Sequence, residues 1–205
     1  MTRRIDGEPV SERRIRTSMS RILKANRLCS IATVASGNRA HINTAFFAYS
    51  PSLELYFLSD PDSLHSRNLS ARPSMAMTIF DSRQSWDDPG RGIQLFGTGR
   101  KTRGVQAARA ERMYAARFPS FARWLRGRSA AERLQAARLR SYAFFQFMPN
   151  RVKVLDEAEF GGAVFVVARV IRRGGPSGRG PMELAWHSTE VLVPGDGGAE
   201  LKRRR

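Results

Sequence analysis

Residues 41–97 read HINTAFFAYS PSLELYFLSD PDSLHSRNLS ARPSMAMTIF DSRQSWDDPG RGIQLFG, and this stretch decides the fold. Its hydrophobic runs have the composition of β-strands, and they enclose one short polar segment, residues 63–69. Strands supply a rigid wall, and the polar segment places several hydrogen-bond donors close together. This combination suits an anionic ligand that lies against a barrel.

The sequence on either side predicts further strands and helices. Ser11 to Asn26 repeats apolar residues at helical spacing, with Ser11 as a candidate N-cap. Ser36-Gly37-Asn38 predicts a hairpin turn, because these residues tolerate positive φ. Residues 102–140, rich in Ala, Arg and Leu, predict two amphipathic helices. The remaining pattern predicts strands at 28–34, 41–49, 53–58, 75–80, 93–101, 142–148 and 151–155, the last two separated by Pro149-Asn150.

These elements predict a mainly β protein with flanking helices, built on an antiparallel barrel that leaves few open edges. Residues 1–10 are interpreted as a flexible arm and 11–160 as the barrel domain with its helical insert at 102–140. Residues 161–195 are predicted to form a C-terminal hairpin, from strands at 163–171 and 184–193 around a Gly/Pro/Arg loop at 174–181. Residues 196–205 are interpreted as a basic disordered tail.

Composition narrows the classes of function. The chain has 205 residues and a formal net charge of +17, and its single cysteine is Cys29. One cysteine excludes an internal disulfide framework, and no apolar run reaches the roughly 20 residues that span a bilayer. The charged N-terminal residues have no apolar core behind them, so we expect no secretory signal there. The basic residues are spread over both tails and one helical region, which argues against nucleic acid as the partner. We expect a cytoplasmic protein with no membrane partner.

Several motifs then carry a family resemblance over roughly residues 22–157. They are Leu28-Cys-Ser-Ile-Ala-Thr-Val with its turn glycine, Leu55-Tyr-Phe-Leu-Ser59, Ser63-x-His65-x-x-Asn68-Leu69, Gly92-Ile-Gln94-Leu-Phe-Gly97 and Pro149-Asn-Arg-Val-Lys-Val-Leu. The chain resembles the pyridoxamine-phosphate-oxidase-like family of flavin-binding split β-barrels. The resemblance implies FMN as the cofactor and a homodimer that binds it at the subunit interface.

The resemblance also implies where the FMN phosphate binds. Ser59 and Ser63 lie at the start of the short predicted helix, where hydroxyl and backbone N–H groups suit a phosphate. Arg67 is a ready cation. His65 occupies the position at which the vitamin-B6 oxidases carry a phosphate-binding lysine, so the phosphate relies more on Arg67 or Arg39, or His65 has another task.

Three further positions are expected to contact the cofactor. Asn43 and Thr44 are neighbours on one strand, so only one can face the flavin, and we favour Asn43. Gln94 has the parity of the position that usually contacts the ring system. Asn68 is the last polar residue of the short segment. Each of these residues also has a purely structural interpretation. Ser63 is then a helix cap, His65 a surface residue and Asn68 a partner of the neighbouring turn. His41 is then a satisfied structural residue, and Trp86 either fills a loop or covers the flavin.

The chain departs from the true vitamin-B6 oxidases at residues 154–161, which lack the family's tryptophan and Arg-x-His-x-x-Arg cluster. We therefore expect an FMN-dependent oxidoreductase that acts on another small organic substrate. The alternatives are a deazaflavin cofactor, haem with His41, His65 or His187 as axial ligand, and a non-catalytic flavin-binding or regulatory protein. No His, Cys or carboxylate cluster has the spacing of a metal site.

Overall fold

The structure, a computed structural model, describes residues 10–162, 164–173 and 183–192, and for 171–173 and 183–192 it describes the backbone. Its helices are α1 Glu12–Ala25, α2 Leu64–Ala71, α3 Gly104–Arg117, α4 Pro119–Arg126, α5 Ala130–Arg140 and the short α6 Glu157–Phe160. Its strands are β1 Leu28–Val34, β2 Ala40–Tyr49, β3 Leu55–Ser59, β4 Ser74–Phe80, β5 Arg91–Lys101, β6 Ala143–Asp156, β7 Phe165–Arg173 and β8 Glu183–Leu192.

The strands form one antiparallel sheet that closes on itself. The order is β3-β2-β1-β4-β5-β6-β7-β8, and an additional pairing between β3 and β6 closes the first six strands into a barrel. β7 and β8 extend the sheet beyond β6. The predicted split β-barrel is therefore confirmed.

The register separates an inner and an outer face of the barrel wall. Side chains directly opposite one another on paired strands share a face, and successive residues alternate between faces. Ile31, Met77 and Leu95 form one cross-strand row that is buried in the core. The next row, Thr44–Ser30–Thr78–Gln94–Lys153, lies on the outer face.

The N-terminal half follows the predicted elements. Ser11 caps α1, because its Oγ accepts the Arg14 backbone N–H at 3.3 Å. β1 has the predicted bounds, and the turn that follows it uses positive φ at Gly37 (68°) and Asn38 (56°). These features depend on local sequence, which explains why they were predictable.

The expected break at Pro149-Asn150 is wrong, because β6 runs through it without interruption. Pro149 lies opposite Gly97 at a shift in the β5–β6 register, where the ladder is locally irregular and the missing proline N–H does little harm. A Cβ on Gly97 would lie 2.2 Å from the Met148 carbonyl oxygen. Glycine at this position therefore lets the two backbones approach and keeps the strand continuous.

The expectation of two helices at 102–140 is also wrong, because the structure has three. Pro119 begins α4 at a position that favours proline, and Gly127 ends it with the left-handed conformation of a helix stop. Residues 1–9, the loop 174–181 and the tail 196–205 lie outside the described residues. Within the described ranges, no helix is long and apolar enough to cross a membrane.

Candidate functional site

A cluster of polar side chains surrounds the imidazole of His65 at one end of the barrel. His65 Nε2 lies 2.6 Å from Ser59 Oγ, 3.1 Å from Ser63 Oγ and 3.5 Å from Asn43 Nδ2. The four side chains come from β2, the end of β3, the turn before α2 and α2 itself. Three polar groups thus converge on one ring nitrogen, and we call these four residues the serine–histidine cluster.

The turn between β3 and α2 holds the cluster in place. Ser63 occupies the N-cap position of α2, yet its side chain makes no cap hydrogen bond. Its Oγ instead lies 2.8 Å from both the Asp60 carbonyl oxygen and Ser66 Oγ. Ser66 Oγ in turn donates to the same Asp60 carbonyl at 2.7 Å. The first N–H groups of α2 therefore remain without the side-chain acceptor that a capping serine would give them.

The surroundings of His65 disfavour its charged form. Burial lowers the pKa of His65, the neighbouring His41 lowers it further, and Asp60 opposes both. Two hydroxyls and the Asn43 amide nitrogen face Nε2, and all three are groups that can donate to a neutral imidazole nitrogen. The rings of His41 and His65 stack at 6.2 Å between centroids, with planes 6° apart.

A cationic cavity opens beside the cluster. It has a volume of about 530 Å³, and its charged lining residues are Arg39, Arg67 and Arg72, together with His41. Arg39 and Arg72 each donate to a backbone carbonyl of the turn after β1, at 3.4 and 3.3 Å. None of the described residues in its lining carries a carboxylate. The arrangement suits a ligand that brings its own negative charge.

The remaining predicted residues divide between two places. Arg67 and Asn68 line the cationic cavity, but Asn68 also donates through Nδ2 to Thr33 Oγ1 at 3.1 Å, which ties α2 to β1 rather than to a neighbouring turn. Thr44 and Gln94 lie on the outer face in one cross-strand row. Asn43 faces inward, so the structure does not bring Gln94 together with Asn43.

The sequence left a structural alternative open for His41 and for Trp86. His41 contributes to the site region, although its sequence context favoured a core residue. Its parity with Asn43 on β2 was the available signal, because residues two apart on a strand share a face. Trp86 is almost fully exposed in the loop before β5. His187 lies in β8, where only the backbone is described.

No metal centre is evident in the described part of the chain. Within these ranges, no group of three or more His, Cys, Asp or Glu side chains is placed to hold an ion.

A family model described as pyridoxamine 5'-phosphate oxidase matches residues 15–156. The chain belongs to this family. The match covers the barrel, the cationic cavity and the serine–histidine cluster, and it ends at the last residue of β6. No curated protein sequence matches the chain.

Solved structures share the fold at low sequence identity. A conserved hypothetical protein from Mycobacterium tuberculosis is 16% identical, with a TM-score of 0.57 over 86% of this chain and 99% of that one. A Clostridium acetobutylicum protein of the pyridoxinephosphate oxidase family is 9% identical, with a TM-score of 0.54 over 78% and 96%. A haem-binding protein from Mycobacterium smegmatis is 13% identical, with a TM-score of 0.54 over 83% of this chain but only 57% of that one.

Proposed function

We propose that this protein is a homodimeric FMN-dependent oxidoreductase of the cytoplasm that acts on a small organic substrate. The observation that carries the proposal is the serine–histidine cluster beside a cationic cavity that no carboxylate lines. Membership of the pyridoxamine 5'-phosphate oxidase family supports it.

The donors present at the cluster fit a phosphate group. A phosphate monoester carries up to two negative charges and several acceptor oxygens, and it is bound well by hydroxyls, helix N-terminal N–H groups and arginine. Ser59 and Ser63 supply hydroxyls, the uncapped start of α2 supplies N–H groups, and Arg67 supplies charge. His65 accepts a proton as the phosphate binds, because a neighbouring anion favours the charged imidazole.

The outer face of the barrel supports a dimer. Three large apolar side chains on this face are exposed: Ile42 to 69%, Phe46 to 51% and Phe80 to 49%. Several exposed apolar residues on one face are typical of an interaction surface, whereas single scattered ones are not. Thr44 and Gln94 lie among them, three strands apart in the same row. We propose that a second copy covers this face and that its Gln94 reaches the flavin held by the first copy.

When bound, FMN supplies the hydride or electron transfer, and the protein supplies binding and orientation. The cluster residues anchor the phosphate at the barrel end. Thr44 and Gln94 offer hydrogen bonds to the polar edge of a planar ring, since an amide both donates and accepts. The apolar outer face excludes water from the ring. Cys29, the single cysteine, fits a reducing compartment.

The test is to titrate the purified full chain with FMN, following flavin fluorescence and the mass of the assembly. We expect bound FMN and a dimer. Ile42→Glu is expected to give monomers and to weaken FMN binding, because it places charge on the outer face. Leu134→Glu, on an exposed position of α5, is the matched control and is expected to change neither. Failure of the wild-type chain to bind FMN would overturn the proposal.

One observation favours haem as a second candidate ligand. His41 lines the cationic cavity together with three arginines, which would pair with the two propionates while the imidazole ligates iron. Adding haemin to the chain would then produce a Soret band that His41→Ala abolishes. A band that survives this substitution would assign the iron to another ligand than His41, and the absence of any band would dismiss haem.

A further inference from the structure

A second cavity, which we call the outer-face cavity, lies at the end of the β5–β6 ladder where β5 begins. Its volume is about 370 Å³, and its lining includes Phe80 of β4, Arg91, Gly92 and Gln94 of β5, Lys153 of β6 and Phe165 of β7. Phe165 lies outside the stretch that matches the family. One wall of this cavity therefore comes from a part of the chain that the family match does not cover.

The charge of the cavity is positive. Among the described residues, the charged ones in its lining are Lys153 and Arg91, and none is a carboxylate. The Lys153 ammonium lies 4.0 Å from the centroid of the Phe165 ring and, within the described residues, has no acidic partner. Arg91 lies opposite the buried Asp156 on the inner side of the wall, and its Nε pairs with that carboxylate at 3.1 Å. The cavity thus offers one cationic side chain, Lys153, to an anion.

The walls are flat and apolar as well as cationic. Phe80 and Phe165 present ring surfaces, and Gly92 leaves room between them because it has no side chain. Thr78 and Gln94 place a hydroxyl and an amide at the edge of the same cavity. A volume of this size accommodates a small molecule, at the low end of known ligand pockets.

The loop that forms the rim is held in place by hydrogen bonds. Gln84 Oε1 accepts the Arg91 backbone N–H at 2.6 Å, and Gln84 Nε2 donates to the Arg91 carbonyl at 3.0 Å. The Gly90 N–H donates to Glu157 Oε2 at 2.6 Å. Because these bonds fix both ends of the cavity entrance, its shape exists before a ligand binds.

We propose that the outer-face cavity binds a small planar carboxylate, with Lys153 on the carboxylate and Phe80 and Phe165 against the plane. Gln94 links this cavity to the outer-face row proposed for the flavin. The cavity is therefore the substrate site of the oxidoreductase, a role that rests on the proposed function. Its preference for a planar anion rests only on the lining residues.

The experiment measures calorimetric binding of benzoate, and of its neutral analogue benzamide, to the full chain without added cofactor. We expect benzoate to bind and benzamide to bind at least about tenfold more weakly, because only benzoate pairs with the Lys153 ammonium. Lys153→Gln is expected to weaken benzoate binding by about tenfold, whereas Lys153→Arg retains most of it. Lys101→Gln, on an exposed lysine outside the cavity, is the matched control and is expected to bind as the wild type does.

Three results would overturn the proposal: no benzoate binding, equal binding of benzoate and benzamide, or equal effects of the Lys153 and Lys101 substitutions. Repeating the titration after FMN loading separates the two proposals. Benzoate that binds and also changes the flavin absorbance spectrum supports both. Benzoate binding to a chain that takes up no FMN supports the planar-anion site and overturns its role next to flavin.

Discussion

The two ends of β3 carry polar groups of opposite character. Just before the strand, Glu54 is almost fully buried and has its cation within the chain, since Arg109 Nη2 lies 2.6 Å from Glu54 Oε2. At its last residue, Ser59 joins the serine–histidine cluster, beside a cavity whose arginines face no carboxylate. The charge of Glu54 is therefore compensated within the chain, whereas the arginines of the cationic cavity can pair with the negative charge of a ligand.

Hydrogen bonds from side chains of the chain itself reach both carboxylate oxygens of Glu54. Ser50 and Ser52 donate to Oε2 at 3.0 and 3.2 Å, and Gln146 donates to Oε1 at 2.8 Å. Arg100 then donates to Gln146 Oε1 at 3.3 Å through Nε. Asp156 is a second centre of this kind, with Ser18, Arg21 and Arg91 around it.

This difference separates structural polar groups from ligand-binding ones. A buried charge persists in a fold only when partners within the chain satisfy it. Exposed arginines around a carboxylate-free cavity contribute little to folding and are available to a ligand. Substitutions at the balanced centres should therefore change stability, and substitutions at the cluster should change binding.

The largest expected effect is on Arg109. Arg109→Ala leaves the Glu54 carboxylate buried without its cation, which should lower the free energy of unfolding by about 3–5 kcal/mol. Urea denaturation measures this loss. Adding Glu54→Gln should recover part of it, and Arg112→Ala, on an exposed position of the same helix, should cost little. Equal losses for Arg109→Ala and Arg112→Ala would contradict the balanced-centre interpretation.

The second effect is at Asp156 and depends on pH. Burial alone would raise the pKa of this carboxyl, but hydrogen bonds from Ser18, Arg21 and Arg91 outweigh it and hold the pKa below its usual value. The carboxylate therefore stabilises the fold above its unfolded pKa of about 3.9, and this contribution is lost as the pH falls through the lower folded pKa.

Asp156→Asn should thus cost about 1.5–3 kcal/mol at neutral pH. The difference between the wild type and this variant should shrink as the pH falls below about 4. Denaturation curves at several pH values measure it, with Asp87→Asn in an exposed loop as the control. A difference that stays constant down to strongly acidic pH would show that the ion pairs contribute nothing.

The third effect should appear in binding and not in stability. Arg67→Ala removes an exposed guanidinium from the cationic cavity, so FMN affinity should fall about tenfold. The free energy of unfolding should change by no more than about 0.5 kcal/mol. Fluorescence titration and urea denaturation measure the two quantities, with Arg13→Ala as an exposed control in α1. If Arg67→Ala lowered the stability but not the FMN affinity, Arg67 would be a structural residue and not a ligand-binding one.

The smallest effect concerns the proton on His65. The pKa of His65 is lowered in the free protein, and a bound phosphate would raise it, so FMN binding takes up a proton between these two values. FMN affinity should therefore rise a few-fold as the pH falls from about 8 to 6.5. The affinity of His65→Gln should not vary over this range. A variant that retains the slope would assign the proton to another group.

Much of the fold and part of the site could be predicted from the sequence. β1, the turn at Gly37 and the helix at Leu64–Ala71 followed from local patterns, because alternation, turn residues and helix spacing act over a few residues. Ser59, Ser63 and His65 were predicted together because one short segment carries them. Pro149 was misread, since its effect depends on Gly97 of another strand.

The sequence by itself determined most of the order of strands and helices, the alternation of side chains along each strand and the short polar segment at residues 63–69. Only the tertiary structure decided that β3 closes on β6, that His41 stacks on His65 and that Lys153 meets Phe165 over the outer-face cavity. The physical reason is register. Which side chains meet depends on how distant strands align, and that alignment is set by packing of the whole barrel core rather than by any local pattern.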